Sequence, residues 1–181
     1  MAPGPVGPFM QTILVTGAGN GIGRAIIMHF HGSGWRVIGL DTDAGALAEL
    51  REVLPREAGL FLTCDVGKEA AVRTAFDRIA DWLGEDRLDC LVNNAGITRH
   101  ARDHSDLDAL SRQDFIDTYA VNVAGPFLML QACKRLLTKA HENTGRASAV
   151  LNVSSIAGVT GIGSSVAYAA TKGALNTMTL S

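Results

Sequence analysis

Proline is scarce in this chain. Only five of 181 residues are proline, and Pro3, Pro5 and Pro8 fall in the first nine. Pro55 and Pro126 are thus the only prolines left to interrupt regular structure in the body. Charge of either sign is also low: 16 basic and 18 acidic side chains leave a net −2. A dedicated nucleic-acid binder needs a basic face, so this balance argues against one. Long apolar runs are missing too. Nothing approaches the ~18 residues that would suggest a membrane span. The start, MAPGPVGPF, has neither the positive end nor the apolar stretch of a signal peptide. Cysteine is sparse, and Cys64, Cys90 and Cys133 fit no CxxC or zinc spacing. They read as reduced, buried thiols of a cytoplasmic protein.

What is present points to one folded unit. The chain is 47% hydrophobic and 19% charged, with 20 glycines. That composition supports a core, and the length suits a single domain of roughly 100–200 residues. Residues 1–11 are expected to be a disordered tail, with Met10 a candidate first residue, and 12–181 the domain.

Apolar runs alternate with helical patterns. TILVTG (12–17), WRVIGLD (35–41), LFLTCDV (60–66), LDCLVNNAG (88–96) and SAVLNVSS (148–155) read as buried strands, the fourth with its turn. Helices are expected over 21–33, with Ile22, Ala25, Ile26, His29 and Phe30 in register, and over 43–54, ended by Pro55. Further helices are expected over 68–83, over 110–140 as one long helix kinked at Pro126 or as two helices, and over 164–180. Five β-α pairs with continuous apolar strands predict a doubly wound parallel sheet of Rossmann type. Ligands bind such sheets at the carboxyl ends of the strands. Here those ends are Gly17, Asp41, Asp65, Asn93–Gly96 and Ser154–Ser155.

Two constellations lie at those ends. Thr16-Gly17-Ala18-Gly19-Asn20-Gly21-Ile22-Gly23 joins the first strand to the first helix. Missing side chains there let backbone N–H groups and a helix N-terminus approach a pyrophosphate. Asp41 ends the second strand, 24 residues after Gly17. A carboxylate at that place accepts the ribose hydroxyls and repels a 2′-phosphate, and Asn20 brings no compensating positive charge. NAD is therefore expected over NADP. A helix cap is the plainer role for Asp41, though Thr42 or Asp43 could also serve. The second constellation is Tyr168 and Lys172, one turn apart on the last helix, with Ser155 at the same rim. Free phenols titrate near 10, and a neighbouring ammonium favours the phenolate, so such a phenol becomes usable for proton transfer.

Other polar groups carry less. Arg99, His100, Arg102 and His104 read as a solvated loop, His29 and His31 as solvent-facing, and AHENTGRAS (140–148) as a polar insertion. No histidine pair has metal-ligand spacing. Asn152-Val153-Ser154 matches a glycosylation sequon but lies in an expected strand.

TGAGNGIG (16–23), Asp41, Asp65-Val66, NNAG (93–96), Asn122, Ser155 and Tyr168-Ala-Ala-Thr-Lys172 together resemble the short-chain dehydrogenase/reductases over residues 12–181. The extended branch, with T-G-x-x-G-x-x-G, does not match. The resemblance implies hydride transfer between a nicotinamide and a secondary alcohol or ketone. Tyr168 would be the acid/base, Lys172 would hold the nicotinamide ribose, Ser155 would orient the carbonyl, and Asn122 would hold a water of the proton relay. Gly17, Asn20, Gly21, Ile22 and Gly23 would cradle the dinucleotide with Asp41. Asp65 would bond the adenine amino group beside Val66, and Asn94, Ala95 and Gly96 would line the adenosine side. Family members continue beyond the Tyr-Lys helix, so this chain is expected to be a fragment lacking the substrate segment and the last strands. The fifth strand would then be an apolar edge. A homodimer or homotetramer is implied for the parent. Two alternatives are a catalytically silent NAD-binding module and a 3-oxoacyl thioester reductase. A methyltransferase shares the glycine turn, but has no need of Tyr168 and Lys172.

Overall fold

A computed structural model describes residues 10–55, 57–84, 87–98 and 106–181. The tail expected over 1–11 falls largely outside them, as do Arg99, His100, Arg102 and His104. Five strands, β1 (Thr12–Thr16), β2 (Arg36–Asp41), β3 (Gly59–Thr63), β4 (Cys90–Asn93) and β5 (Ala149–Asn152), form one parallel sheet. Their order is β3-β2-β1-β4-β5, the doubly wound arrangement expected from the sequence. The order reverses beside β1, so a crevice opens where β1 and β4 end.

Strand alternation sorts side chains onto two faces. Leu14, Ile38, Leu40, Leu62 and Leu91 point to one face. There they meet Val72, Ala75 and Ile79 of α3 (Glu69–Leu83) and Met129, Cys133 and Leu136 of α5 (Gly125–Thr144). Ile13, Val15, Val37, Phe61 and Val92 point to the other face. They cover Ile27 of α1 (Gly21–Gly32) and Leu47 and Leu50 of α2 (Ala44–Val53). A continuous apolar strand is the pattern that double cover requires. Asp89 fixes the lower end of β1: its carboxylate accepts from the Thr12 N–H at 2.8 Å and from Arg87 Nε at 2.9 Å.

Several boundaries differ from the sequence expectation. β3 stops at Thr63 because Asp65 turns the chain, its Oδ1 accepting from the Gly67 N–H at 3.0 Å. β4 stops at Asn93 because the next two N–H groups donate to the Thr16 hydroxyl instead of to a strand. The 110–140 region is two helices, the second of the two forms expected, and it is not kinked at Pro126 itself. α4 (Arg112–Tyr119) runs into a π-helical turn, Ala120–Ala124, and then into α5. Gly125 donates to the Ala120 carbonyl, five residues back, and Pro126 sits in the first turn of α5. Proline has no N–H and collides with the carbonyl four residues earlier, so the wider turn just before it relieves both problems. α5 also continues to Thr144, through half of the supposed insertion, and Gly145 closes it at φ +69. β5 is one of the two outer strands and, as expected, an apolar edge, with Leu151 53% exposed.

Candidate active site

The turn after β1 has no room for a side chain at Gly17 or Gly23. Gly17 lies at φ +67, and a Cβ there would sit 2.9 Å from Asn94 Nδ2 and 3.0 Å from Ala95 Cα. A Cβ on Gly23 would come within 2.0 Å of the Gly17 carbonyl oxygen. Gly21, at φ +52, has nothing within 4 Å on its Cβ side, so the turn is tight underneath and open above. α1 begins at this opening with no side-chain cap and no acidic residue in its first turn. Its unpaired N–H groups and positive dipole end therefore face the crevice.

Asp41 stands beside the same turn. Its Oδ2 accepts from the Gly19 N–H at 2.8 Å and its Oδ1 from the Asp43 N–H at 3.0 Å. The α2 cap is Asp43, whose side chain accepts from the Ala46 N–H at 3.0 Å, so Asp41 is not needed for that task. A cleft of about 390 Å³ runs from the turn along the strand ends. Gly17, Asn20, Gly21, Asp41, Asp65, Val66, Asn94, Ala95 and Gly96 all line it. Ile22 and Gly23 are not among the lining residues: Ile22 is 63% exposed in the first turn of α1, and Gly23 is buried beneath the turn. The α1 face that packs on the sheet is instead set by Gly23 and Ile27, with Ile26 and Phe30 partly covered. Asp65 keeps one carboxylate oxygen on Gly67 and places the other 3.3 Å from Lys68 Nζ.

Two anchors escaped sequence reasoning. Buried Thr16 takes the Asn94 and Ala95 N–H groups on one hydroxyl, at 3.1 and 3.0 Å. The Asn94 side chain does not face a ligand, because its Nδ2 donates to the carbonyls of Thr16 and Gly17 at 3.0 and 3.2 Å. Together they sew the turn after β4 onto the glycine turn. The available signal was a hydroxyl directly before the first glycine and an amide at the end of β4.

The second constellation gathers around Gly96. A Cβ on Gly96 would lie 3.4 Å from Asn122 Oδ1 and 3.5 Å from Lys172 Nζ. Asn122, fully buried in the π turn, accepts from the Ile97 N–H at 2.8 Å. Its Nδ2 donates to the Ile97 carbonyl at 3.2 Å and to Thr171 Oγ1 at 3.1 Å. Lys172 lies on α7 (Val166–Leu180), only 4% exposed, and its Nζ donates to the Val153 carbonyl at 2.7 Å. Burial pushes its pKa below the ordinary lysine value. The Tyr168 ring centre lies 5.6 Å from that ammonium, and Thr171 donates to the Tyr168 carbonyl at 2.7 Å. Ser165 caps α7 by accepting from the Tyr168 N–H. Ser155 ends the strand-five segment, and its hydroxyl accepts from the Ala157 N–H at 3.2 Å. α6 (Ala157–Thr160) is pressed onto α7 so closely that a Cβ on Gly158 would lie 2.6 Å from the Lys172 carbonyl carbon.

The glycine turn thus has the open cradle, unpaired helix end and adjacent carboxylate that a dinucleotide needs, and the residues fit one. No group of three or more potential metal ligands occurs among the described residues. None of their helices is long and apolar enough to cross a membrane.

Comparison with known proteins agrees with this geometry. The family model for short chain dehydrogenase matches residues 11–181. D-threitol dehydrogenase of Mycolicibacterium smegmatis is 36% identical over 164 residues, covering 90% of this chain and 59% of that protein. A Burkholderia xenovorans structure assigned to short-chain dehydrogenases/reductases is 39% identical with a TM-score of 0.85, covering 94% of this chain and 70% of that one. A 3-ketoacyl-(acyl-carrier-protein) reductase of Brucella melitensis, complexed with NADH, is 28% identical with a TM-score of 0.82, over 94% of this chain and 68% of that one. The chain spans about three fifths of the length of the curated relatives it matches. By its matched residues, its sheet order and its two constellations, the chain belongs to the short-chain dehydrogenases.

Proposed function

We propose that this chain carries the nucleotide-binding and catalytic residues of an NAD-linked oxidoreductase acting on a secondary alcohol or ketone. The observation that carries this reading is the linkage of Tyr168, Lys172 and Asn122 around Gly96, next to a glycine turn that opens onto Asp41. When bound, the dinucleotide supplies the hydride acceptor or donor. The protein supplies the proton and the orientation. Tyr168 exchanges a proton with the substrate oxygen, and Ser155 holds that oxygen by its hydroxyl. Lys172 keeps a positive charge near the phenol and a hydrogen bond to Val153. Asn122 holds the turn after β4 against α7 and, through that turn, the relay beyond Lys172. Asp41 accepts ribose hydroxyls and disfavours a 2′-phosphate. NADH in the Brucella melitensis relative supports a nicotinamide cofactor here.

The substrate is a small molecule. D-threitol, L-fucose and 3-oxoacyl thioesters are the probes that the relatives suggest. A homodimer or homotetramer of the whole protein is supported by Ile116, Tyr119, Phe127 and Leu130, exposed along α4 and α5. The test is NAD⁺ reduction with a panel of secondary alcohols, using Tyr168→Phe as control. Turnover lost about 10²–10⁴-fold in the variant, with NAD⁺ binding kept, supports the assignment. Binding of NAD⁺ with no alcohol oxidised by the full-length protein favours a silent NAD-binding module instead.

A further inference from the structure

The residues lining the cleft include the carboxylates of Asp41 and Asp65 and no cationic side chain. A cation nevertheless stands next door. Arg24, in the first turn of α1, places Nη1 3.5 Å from the Gly19 carbonyl oxygen. The N–H of the same Gly19 donates to Asp41 Oδ2 at 2.8 Å. One glycine therefore separates the cation from the carboxylate that faces the ribose site. Arg24 does not pair with Asp41. It pairs across to α2, where Glu49 Oε2 lies 3.1 Å from Nη1. Glu49 is well exposed, and Arg24 is about one third exposed, so the guanidinium can move if its partner is lost. Ala46 closes the opposite side, since a Cβ on Gly19 would meet its methyl at 2.9 Å. The guanidinium can thus turn from Glu49 toward the edge of the cleft.

We propose that the Arg24–Glu49 ion pair is a second determinant of nucleotide choice, with Glu49 holding the Arg24 guanidinium away from the place of a 2′-phosphate. The inference rests on the dinucleotide reading above. A guanidinium released from Glu49 would offset the Asp41 charge and offer donors to a phosphate. The adenosine ribose of NAD carries no such group there, so its binding should not change.

The test is calorimetric titration of the protein with NAD⁺ and NADP⁺, using Glu49→Gln, Arg24→Gln and the double variant. Both positions are on the surface of helices already anchored by buried neighbours, and thermal melting checks that each variant folds. Glu49→Gln should tighten NADP⁺ about three- to ten-fold, the scale of one partly screened charge, and leave NAD⁺ within about two-fold. Adding Arg24→Gln should cancel that gain. Unchanged NADP⁺ affinity in Glu49→Gln, with NAD⁺ still bound, overturns the inference and leaves the proposed function standing. A gain that survives loss of Arg24 also overturns it, because simple removal of negative charge would then suffice. A wild type that binds neither nucleotide overturns the dinucleotide reading and this inference with it.

Discussion

Asn122 and Ile97 bind each other through both polar ends: the Ile97 N–H donates to Asn122 Oδ1 at 2.8 Å, and Asn122 Nδ2 donates to the Ile97 carbonyl at 3.2 Å. The side chain acts as a strand would, satisfying one residue of a turn that has left the sheet. It does so from a fully buried position. Asn122→Ala strands both Ile97 groups and removes a partner of Thr171. A buried group left unpaired costs about 1–3 kcal/mol, and this applies to Thr171 more fully than to half-buried Ile97. Urea denaturation should show a loss of about 1–3 kcal/mol. An Asn122→Ala variant as stable as wild type would contradict the bonding described.

Gly23 and Gly32 belong to one helix and should respond in opposite directions to alanine. At Gly23 the new methyl would meet the Gly17 oxygen at 2.0 Å and Asn94 Nδ2 at 2.7 Å. Overpacking of this kind costs about 1–3 kcal/mol, and it spreads the glycine turn. At Gly32 there is open space, and the residue closes α1. Alanine there should stabilise by about 0.4–1 kcal/mol. Thermal melts of the two variants, with nucleotide binding measured alongside, check the contrast.

Lys172 gives the fold a pH dependence of defined sign. Its pKa is lowered in the folded chain by burial, while the unfolded chain keeps the ordinary lysine value. Between those two pH values the unfolded state binds one more proton than the native state. Stability therefore rises with pH across that window. Below it both states are charged and the cost of burying the ammonium is constant. The unfolding free energy of wild type relative to Lys172→Met should climb as pH approaches about 10.4. Chemical denaturation at several pH values from neutral upward reads this difference, and a flat profile would refute it.

The thiols should be inert in the native protein. Burial pushes Cys133 up to about 12, and burial with Asp65 nearby pushes Cys64 up to about 11. Cys90 is raised in the same way, by burial first and Asp89 second. Thiolate is the reactive form. An aromatic disulfide reagent near pH 8 should label these sites slowly, and rapidly after denaturant is added.

The sheet was readable in advance because each strand is a continuous apolar run ending in glycine, aspartate, asparagine or serine. Those endings also located Asp41, Asp65 and the Asn94–Gly96 turn. The π turn was not readable, since Pro126 announces a disturbance without saying which preceding carbonyls will rearrange. Periodicity placed Ile22 in α1 but could not give its exposure, because the glycine turn sets the orientation of the first turn. Thr16 and Asn94 were overlooked as anchors for another reason. Their hydrogen bonds span nearly 80 residues, and no local pattern reports such a partnership.

The same long spans impose an order of assembly during synthesis. The glycine turn cannot be stitched until Asn94 and Ala95 have emerged, and buried Asn122 waits for Thr171. At ribosomal speeds of about 5–20 residues per second, roughly 4–15 s separate the two events. Every partner of the glycine turn is therefore synthesised well before Thr171, so the two ends of the cleft gain their long-range bonds at different times.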